Sequence, residues 1–165
     1  MEYRKLGSSD LKVSVIGYGA WGIGGAPFWN NEGDQKSKDS IKKAYDLGIN
    51  FFDTAPVYGF GHSEELIGKA VKPFRDKVII ATKCGLRWDK RSLSALRKDA
   101  SRNSILEEID QSLKRLDMDV IDLYQVHWPD EKTDQKETME TLLEIQEKGK
   151  IRHIGVSNYS AEQIV

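Results

Sequence analysis

Ile49-Asn50-Phe51-Phe52-Asp53-Thr54-Ala55-Pro56-Val57-Tyr58-Gly59 is the stretch from which the fold can be read. The run from Ile49 to Phe52, bounded by Gly48 and Pro56, reads as a short buried strand. That strand delivers Asp53 at its carboxyl end, and the loop beyond it delivers Tyr58. A carboxylate leaving a hydrophobic strand is costly to bury without a partner. The next strand-like run, Lys77-Val78-Ile79-Ile80-Ala81-Thr82-Lys83, ends in a candidate partner, and a third, Val120 to Val126, ends in His127. Core packing gives no reason for three consecutive apolar strands each to end in an ionisable residue. The pattern reads as a site assembled at the carboxyl ends of parallel strands.

Outward from this stretch the same alternation continues. Residues 1–15 read as an opening β-hairpin, because Met1–Leu6 and Leu11–Val15 flank the turn Gly7-Ser8-Ser9-Asp10. Ile41, Ala44 and Tyr45 mark one helix face, closed by Gly48. Ser63 is placed to cap a helix carrying Leu66, Ile67, Ala70 and Val71. A polar loop is expected from Gly85 to Asp99, then a helix with Ser104-x-x-Glu107 as a capping box. Glu137 to Lys148 is expected as a helix with Met139, Leu142 and Leu143 inward. Ile151 to Val156 reads as a fifth strand, and Ser160-x-x-Gln163 as a further helix start. Strands alternating with amphipathic helices imply an α/β fold on a parallel sheet, one domain over 1–165 with βα units from residue 15 onward.

Composition narrows the function classes. The 165 residues carry 25 Lys plus Arg against 26 Asp plus Glu, a net charge of −1, which gives no electrostatic footprint for nucleic acid or an anionic membrane. No apolar run has the length of a membrane span, and the amino terminus has no signal-peptide core. Cys84, the single cysteine, cannot form an internal disulfide, consistent with a cytoplasmic location. His62 and His153 share no ligand spacing with His127 or Cys84, so no metal is expected.

Asp53, Tyr58, Lys83 and His127 together suit carbonyl reduction. A free phenol has a pKa of about 10, and the expectation is that Lys83 lowers that of Tyr58 while Asp53 anchors Lys83. His127 would orient a carbonyl oxygen toward Tyr58, which gives it a proton as hydride reaches the carbon. Side chains hold no hydride, so a nicotinamide cofactor is implied.

With Asp53-x4-Tyr58, Ala81-Thr82-Lys83, Ser112-Leu113-Lys114-Arg115-Leu116, Asp119 through Asp130, and Gly149 through Ser160, the chain resembles the aldo-keto reductase superfamily. The likeness is nearest to bacterial NADPH-dependent members of the stress-response and inositol-associated type. The resemblance implies a (β/α)8 barrel with its site at the carboxyl ends of the strands, of which this chain carries the hairpin and about five strands. It implies a catalytic tetrad at Asp53, Tyr58, Lys83 and His127. It implies nicotinamide contacts at Ser157 and Asn158, and a turn Gly19-Ala20-Trp21 bordering an NADPH cofactor that Asp53 also adjoins. Trp21, Trp88 and Trp128 would wall a pocket for a small-molecule carbonyl substrate.

Other readings stand beside this one. Asp53 and Lys83 alone would be a structural ion pair. Gly17-x-Gly19-x-x-Gly22 matches a Rossmann fingerprint, but Pro27 and a polar loop follow where a helix is required. A non-catalytic binding or regulatory module, as some superfamily members provide to ion channels, gives no reason for Tyr58. Five strands also leave open edges at the first barrel strand and at Ile151–Val156. The expectation is therefore that inward residues of all five strands lie open to water, with self-association or a need for the missing carboxyl-terminal half.

Overall fold

The computed structural model describes residues 1–30 and 33–164; the domain boundary placed at Val165 lies outside them. The chain opens with an antiparallel hairpin, β1 (Tyr3–Lys5) and β2 (Lys12–Ser14). It continues as β3 (Tyr18–Gly19), α1 (Asp34–Asp46), β4 (Phe51–Asp53), α2 (His62–Val71) and β5 (Ile79–Cys84). After β5 come a short ribbon, β6 (Leu86–Arg87) and β7 (Arg97–Lys98), then α3 (Arg102–Leu116), β8 (Ile121–Val126), α4 (Gln135–Glu147) and β9 (Ile151–Val156). The main sheet is parallel throughout, in the order β3-β4-β5-β8-β9. This is the partial (β/α)8 barrel that the resemblance implies.

Period-two alternation divides each strand between two faces. Phe52, Ile80, Tyr124 and Val126 turn outward and share the main core with Ile41, Ile67, Val71, Ile105, Ile109, Leu116, Leu142 and Ile145 of the helices. Ile79, Ala81 and Leu123 turn inward and meet Leu11 and Val13 of the hairpin, with Leu6 and Phe51 beside them. The concave face is therefore not open along its whole length, contrary to expectation. The hairpin plugs its amino-terminal end and leaves Ile79 only 8 % and Leu123 only 9 % exposed. Ionic links hold the plug: Asp10 accepts from Arg152 at 2.8 Å and meets His153 at 2.6 Å, while Arg152 also reaches the buried Asp122 at 2.9 Å. Arg75 closes on Asp122 from the other side at 2.8 Å.

Helices α2 and α3 pack backbone to backbone at Gly68, where an added Cβ would lie 2.2 Å from the Leu116 carbonyl oxygen. Between them, fully buried Glu64 accepts from Arg115 at 2.6 Å and from Thr82 of β5 at 2.7 Å. Side-chain bonds elsewhere replace two of the expected caps, one of them tertiary and one within the helix. Ser63 Oγ donates to the Ala20 carbonyl at 2.8 Å and pairs with Thr54, so it joins α2 to the sheet; Gly61 is the residue that precedes the helix. Ser104 Oγ donates to Glu108 at 3.1 Å, one turn along α3, and the N-cap is Ser101. The expected loop after β5 contains the β6–β7 ribbon. In α4 the inward residues are Thr138, Thr141, Leu142 and Ile145; Met139 and Leu143 are 45 % and 44 % exposed. Among the described residues no helix is long and apolar enough to cross a membrane.

Glu108 is the other buried carboxyl with consequences. It accepts from the Gly85 amide at 3.0 Å as well as from Ser104, and its Oε2 has no hydrogen-bond partner among the described residues. Burial outweighs these bonds and pushes its pKa up to about 8. A carboxyl whose folded pKa is raised stabilises the fold fully below its unfolded value, and that stability is lost as pH rises toward the folded value. We predict that Glu108→Gln, which keeps an acceptor for Gly85, removes a loss of up to about 1.4 kcal/mol per pH unit between these two values. Denaturant titrations of both proteins from pH 5 to 9 measure it; parallel pH dependences would contradict it.

Candidate active site

The registers Gly19–Asp53, Asp53–Ala81 and Ala81–Leu123 form one row across the concave face, and Lys83–Gln125–Gly155 forms the next row toward the carboxyl ends. Because every second residue points inward, Asp53, Lys83, Gln125 and, past the strand end, His127 share that face. Lys83 Nζ donates to Asp53 at 2.9 and 2.7 Å and to the Thr54 carbonyl at 2.8 Å. Three acceptors thus saturate the ammonium. The two partners differ in exposure: the Lys83 side chain is 6 % exposed and that of Asp53 34 %.

Tyr58 comes from the loop between β4 and α2. Its position depends on Gly59, whose φ is 63° and where an added Cβ would lie 2.0 Å from the Gly24 carbonyl oxygen. Only glycine lets this loop press against the one following β3. The Tyr58 ring then lies with its centroid 5.2 Å from Lys83 Nζ and 5.8 Å from the His127 ring, edge to face at 84°. The His127 amide donates to the Cys84 carbonyl at 2.9 Å, which ties the end of β8 to the end of β5.

The electrostatics correct one expectation. The pKa of Tyr58 is pushed up to about 12, first by burial and then by the Asp53 charge. Lys83 sits over the face of the ring and its charge is matched by Asp53, so it does not lower the phenol. Burial also pulls Lys83 down, against the opposing pull of Asp53 and Glu64. His127 is pushed down to about 4 by burial and by the Lys83 charge. At neutral pH the cleft therefore presents a neutral phenol and a neutral imidazole beside a closed ion pair. That set can hold a carbonyl oxygen and supply it with a proton.

Beyond β9, Ser157 N donates to the Val126 carbonyl at 2.9 Å. Asn158 adopts φ 62°, a left-handed conformation that asparagine tolerates better than most residues. Its Nδ2 donates to the His127 carbonyl at 2.8 Å and to Ser157 Oγ at 3.0 Å. This binds the Ser-Asn pair to the loop that carries His127. In the Gly19-Ala20-Trp21 turn the residues part company. Gly19 borders open space, and Trp21 is exposed against Tyr58 at 6.4 Å and Trp29 at 5.3 Å. The Ala20 methyl is buried in the core, its amide bonds Asp53 O, and its carbonyl takes Ser63. Trp88, on the ribbon, packs on Phe60 at 5.4 Å, and Lys98 lies 5.7 Å over exposed Trp128. The ribbon is thus attached to the loops that follow β4 and β8. A helix does not follow the Gly17–Gly22 pattern; a short 3-10 turn, Gly22–Gly24, does. No group of three or more His, Cys, Asp or Glu among the described residues could hold a metal.

Comparison with known proteins agrees with this architecture. The model of the aldo/keto reductase family matches residues 15–165. Aldo-keto reductase YhdN of Bacillus subtilis is 48% identical over 99% of the chain and 49% of its own length. The NADH-specific methylglyoxal reductase of Escherichia coli is 42% identical over 96% and 52% respectively. The solved aldo-keto reductase AKR11C1 from Bacillus halodurans, in its holo form, superposes with a TM-score of 0.90 at 35% identity, covering 99% of this chain and 52% of that one. The chain spans about half the length of the curated relatives it matches.

Unequal burial of the ion pair sets unequal costs for breaking it. Removing Asp53 leaves a buried ammonium with only a carbonyl for company, whereas removing Lys83 leaves a carboxylate that water still reaches. We predict that Asp53→Ala costs about 3 kcal/mol of stability and Lys83→Met about 1 kcal/mol. Denaturant unfolding of the two variants at pH 7 checks the order; equal losses would contradict it.

Proposed function

The chain belongs to the aldo/keto reductase family, and from that premise we propose that it contributes the reducing site of a nicotinamide-dependent carbonyl reductase. The observation that carries the reading is the convergence of Tyr58, His127 and the Asp53–Lys83 pair on one concave face. A structural ion pair alone would require neither the phenol nor the imidazole.

The donor set also suits the cofactor. Asn158 spends its amide nitrogen on His127 and Ser157, which leaves its amide oxygen to accept from a carboxamide while Ser157 keeps a hydroxyl beside it. Ser157 and Asn158 would hold the nicotinamide end, with Gly19 and Trp21 along its border. A bound nicotinamide cofactor supplies the hydride. NADPH is proposed by resemblance, and NADH is the necessary comparison because the Escherichia coli relative is named as NADH-specific.

Each side chain has a defined task in this reading. His127, neutral at working pH, donates its single N–H to the carbonyl oxygen of the substrate and fixes its direction. Tyr58 gives that oxygen its proton, with the Asp53–Lys83 pair held beside its ring. Trp21, 6.4 Å from Tyr58, would border an aldehyde or ketone; Trp128 and Trp88 are proposed as further walls by resemblance alone, and Trp88 packs on Phe60.

We predict that Tyr58→Phe lowers aldehyde reduction by about 10²–10⁴-fold while cofactor affinity is retained. The assay is NADPH and NADH oxidation with methylglyoxal by the protein as encoded; near-wild-type turnover of the variant would overturn the assignment. With Tyr58 held at about 12, its proton is present throughout the neutral range. Reduction should therefore be insensitive to this group from pH 6 to 9, while alcohol oxidation, which needs the phenolate, rises with pH across the same range.

A further inference from the structure

Gln125 is the one side chain outside the tetrad whose side-chain hydrogen bond reaches the tetrad's carboxylate among the described residues. It lies on β8, in register with Lys83. Its Nε2 passes over β5 to donate to Asp53 Oδ1 at 3.2 Å, the same oxygen that takes one of the two Lys83 bonds. The route is clear because the intervening inward residue level with Asp53 is Ala81, too short to block it. On the other side, Gly155 of β9 is the register partner of Gln125. An added Cβ at Gly155 would lie 3.1 Å from Gln125 Cγ and 3.3 Å from Leu123 Cδ1. Gly155 has no positive φ to account for it, so space alone explains a glycine in the interior of a strand.

We propose that Gln125 is a positioning residue for the Asp53–Lys83 pair, and that Gly155 is glycine because the Gln125 side chain occupies the room a methyl would take. Asp53 sits on a strand of three residues, and its side chain is partly open to water. Lys83 Nζ grips both carboxylate oxygens, but from the β5 side alone. A second donor on Oδ1, approaching from β8, braces the carboxylate from another direction and with it the placement of the ammonium over the Tyr58 ring.

The inference rests on the reading of the site as a carbonyl reductase, and the experiment separates the two. Gln125→Met, which preserves length and removes the donor, and Gln125→Glu, which sets a second carboxylate against Asp53, are compared with Tyr58→Phe in the protein as encoded. Gly155→Ala, which presses on Gln125 from outside, is the fourth variant. Expected for Gln125→Met is a fall in kcat of about 10- to 100-fold, the worth of a hydrogen bond to a charged group, with KM, cofactor Kd and melting temperature unchanged. Gln125→Glu should lose more than Gln125→Met, and Gly155→Ala should lower kcat in the same direction. A merely structural role would move melting temperature and cofactor Kd together with kcat, and that result would overturn the proposal. So would wild-type kcat in Gln125→Met alongside an inactive Tyr58→Phe, which would leave the reductase reading standing. An active Tyr58→Phe would remove the reductase reading and this inference with it.

Discussion

A lysine ammonium this deeply buried has to be answered by a carboxylate, and much of the barrel segment can be understood from that requirement. Lys83 is carried inward near the end of β5 and meets Asp53, which leaves β4 one residue pair nearer the amino end. The pair exists only if β4 and β5 are parallel and in this register; a slip of one residue would send Lys83 among the helices. The register is held from behind by outward residues of the same strands, such as Phe52 and Ile80 in the core, and by Thr82, which bonds Glu64. Chemistry on the concave face and packing on the convex face are alternate residues of the same three-to-six-residue strands.

The strands and their charged ends were legible because they are local. An apolar run bounded by Gly48 and Pro56 that ends in Asp53 declares both a strand and an unpaired charge within a few residues. Ser63 and Ser104 misled because a hydroxyl beside a helix start has other uses: Ser63 reaches the distant Ala20 carbonyl, and Ser104 turns one helical turn forward to Glu108. Met139 and Leu143 misled because helical periodicity identifies an apolar stripe but not which neighbour covers it. Leu142 went to the core with Thr138, Thr141 and Ile145, and these two did not.

The ionisation of Tyr58 was illegible for another reason. Sequence places a lysine, an aspartate and a tyrosine near one another but does not say which part of the ring the ammonium faces. With Nζ over the ring face and its charge matched by Asp53, burial governs the phenol and the sign of the shift reverses. Gln125 stands in plain view two residues before His127, yet only the three-strand register shows that it crosses β5 to a residue 72 positions away in the chain.

The plug at the amino-terminal end of the barrel has a consequence for when the molecule can assemble. Asp10 closes on Arg152 and His153 across separations of 142 and 143 residues. Asp10 thus waits for β9, the last strand described, before it can complete its ionic contacts. Until then Leu11 and Val13 have Ile79 and Ala81 to cover, but no latch on β9 to hold them there. Contacts of such long sequence separation are the slow ones to form. The strands that carry the tetrad can therefore pair while the nascent chain is still growing, whereas the lower end of the barrel is sealed only after β9 has been made.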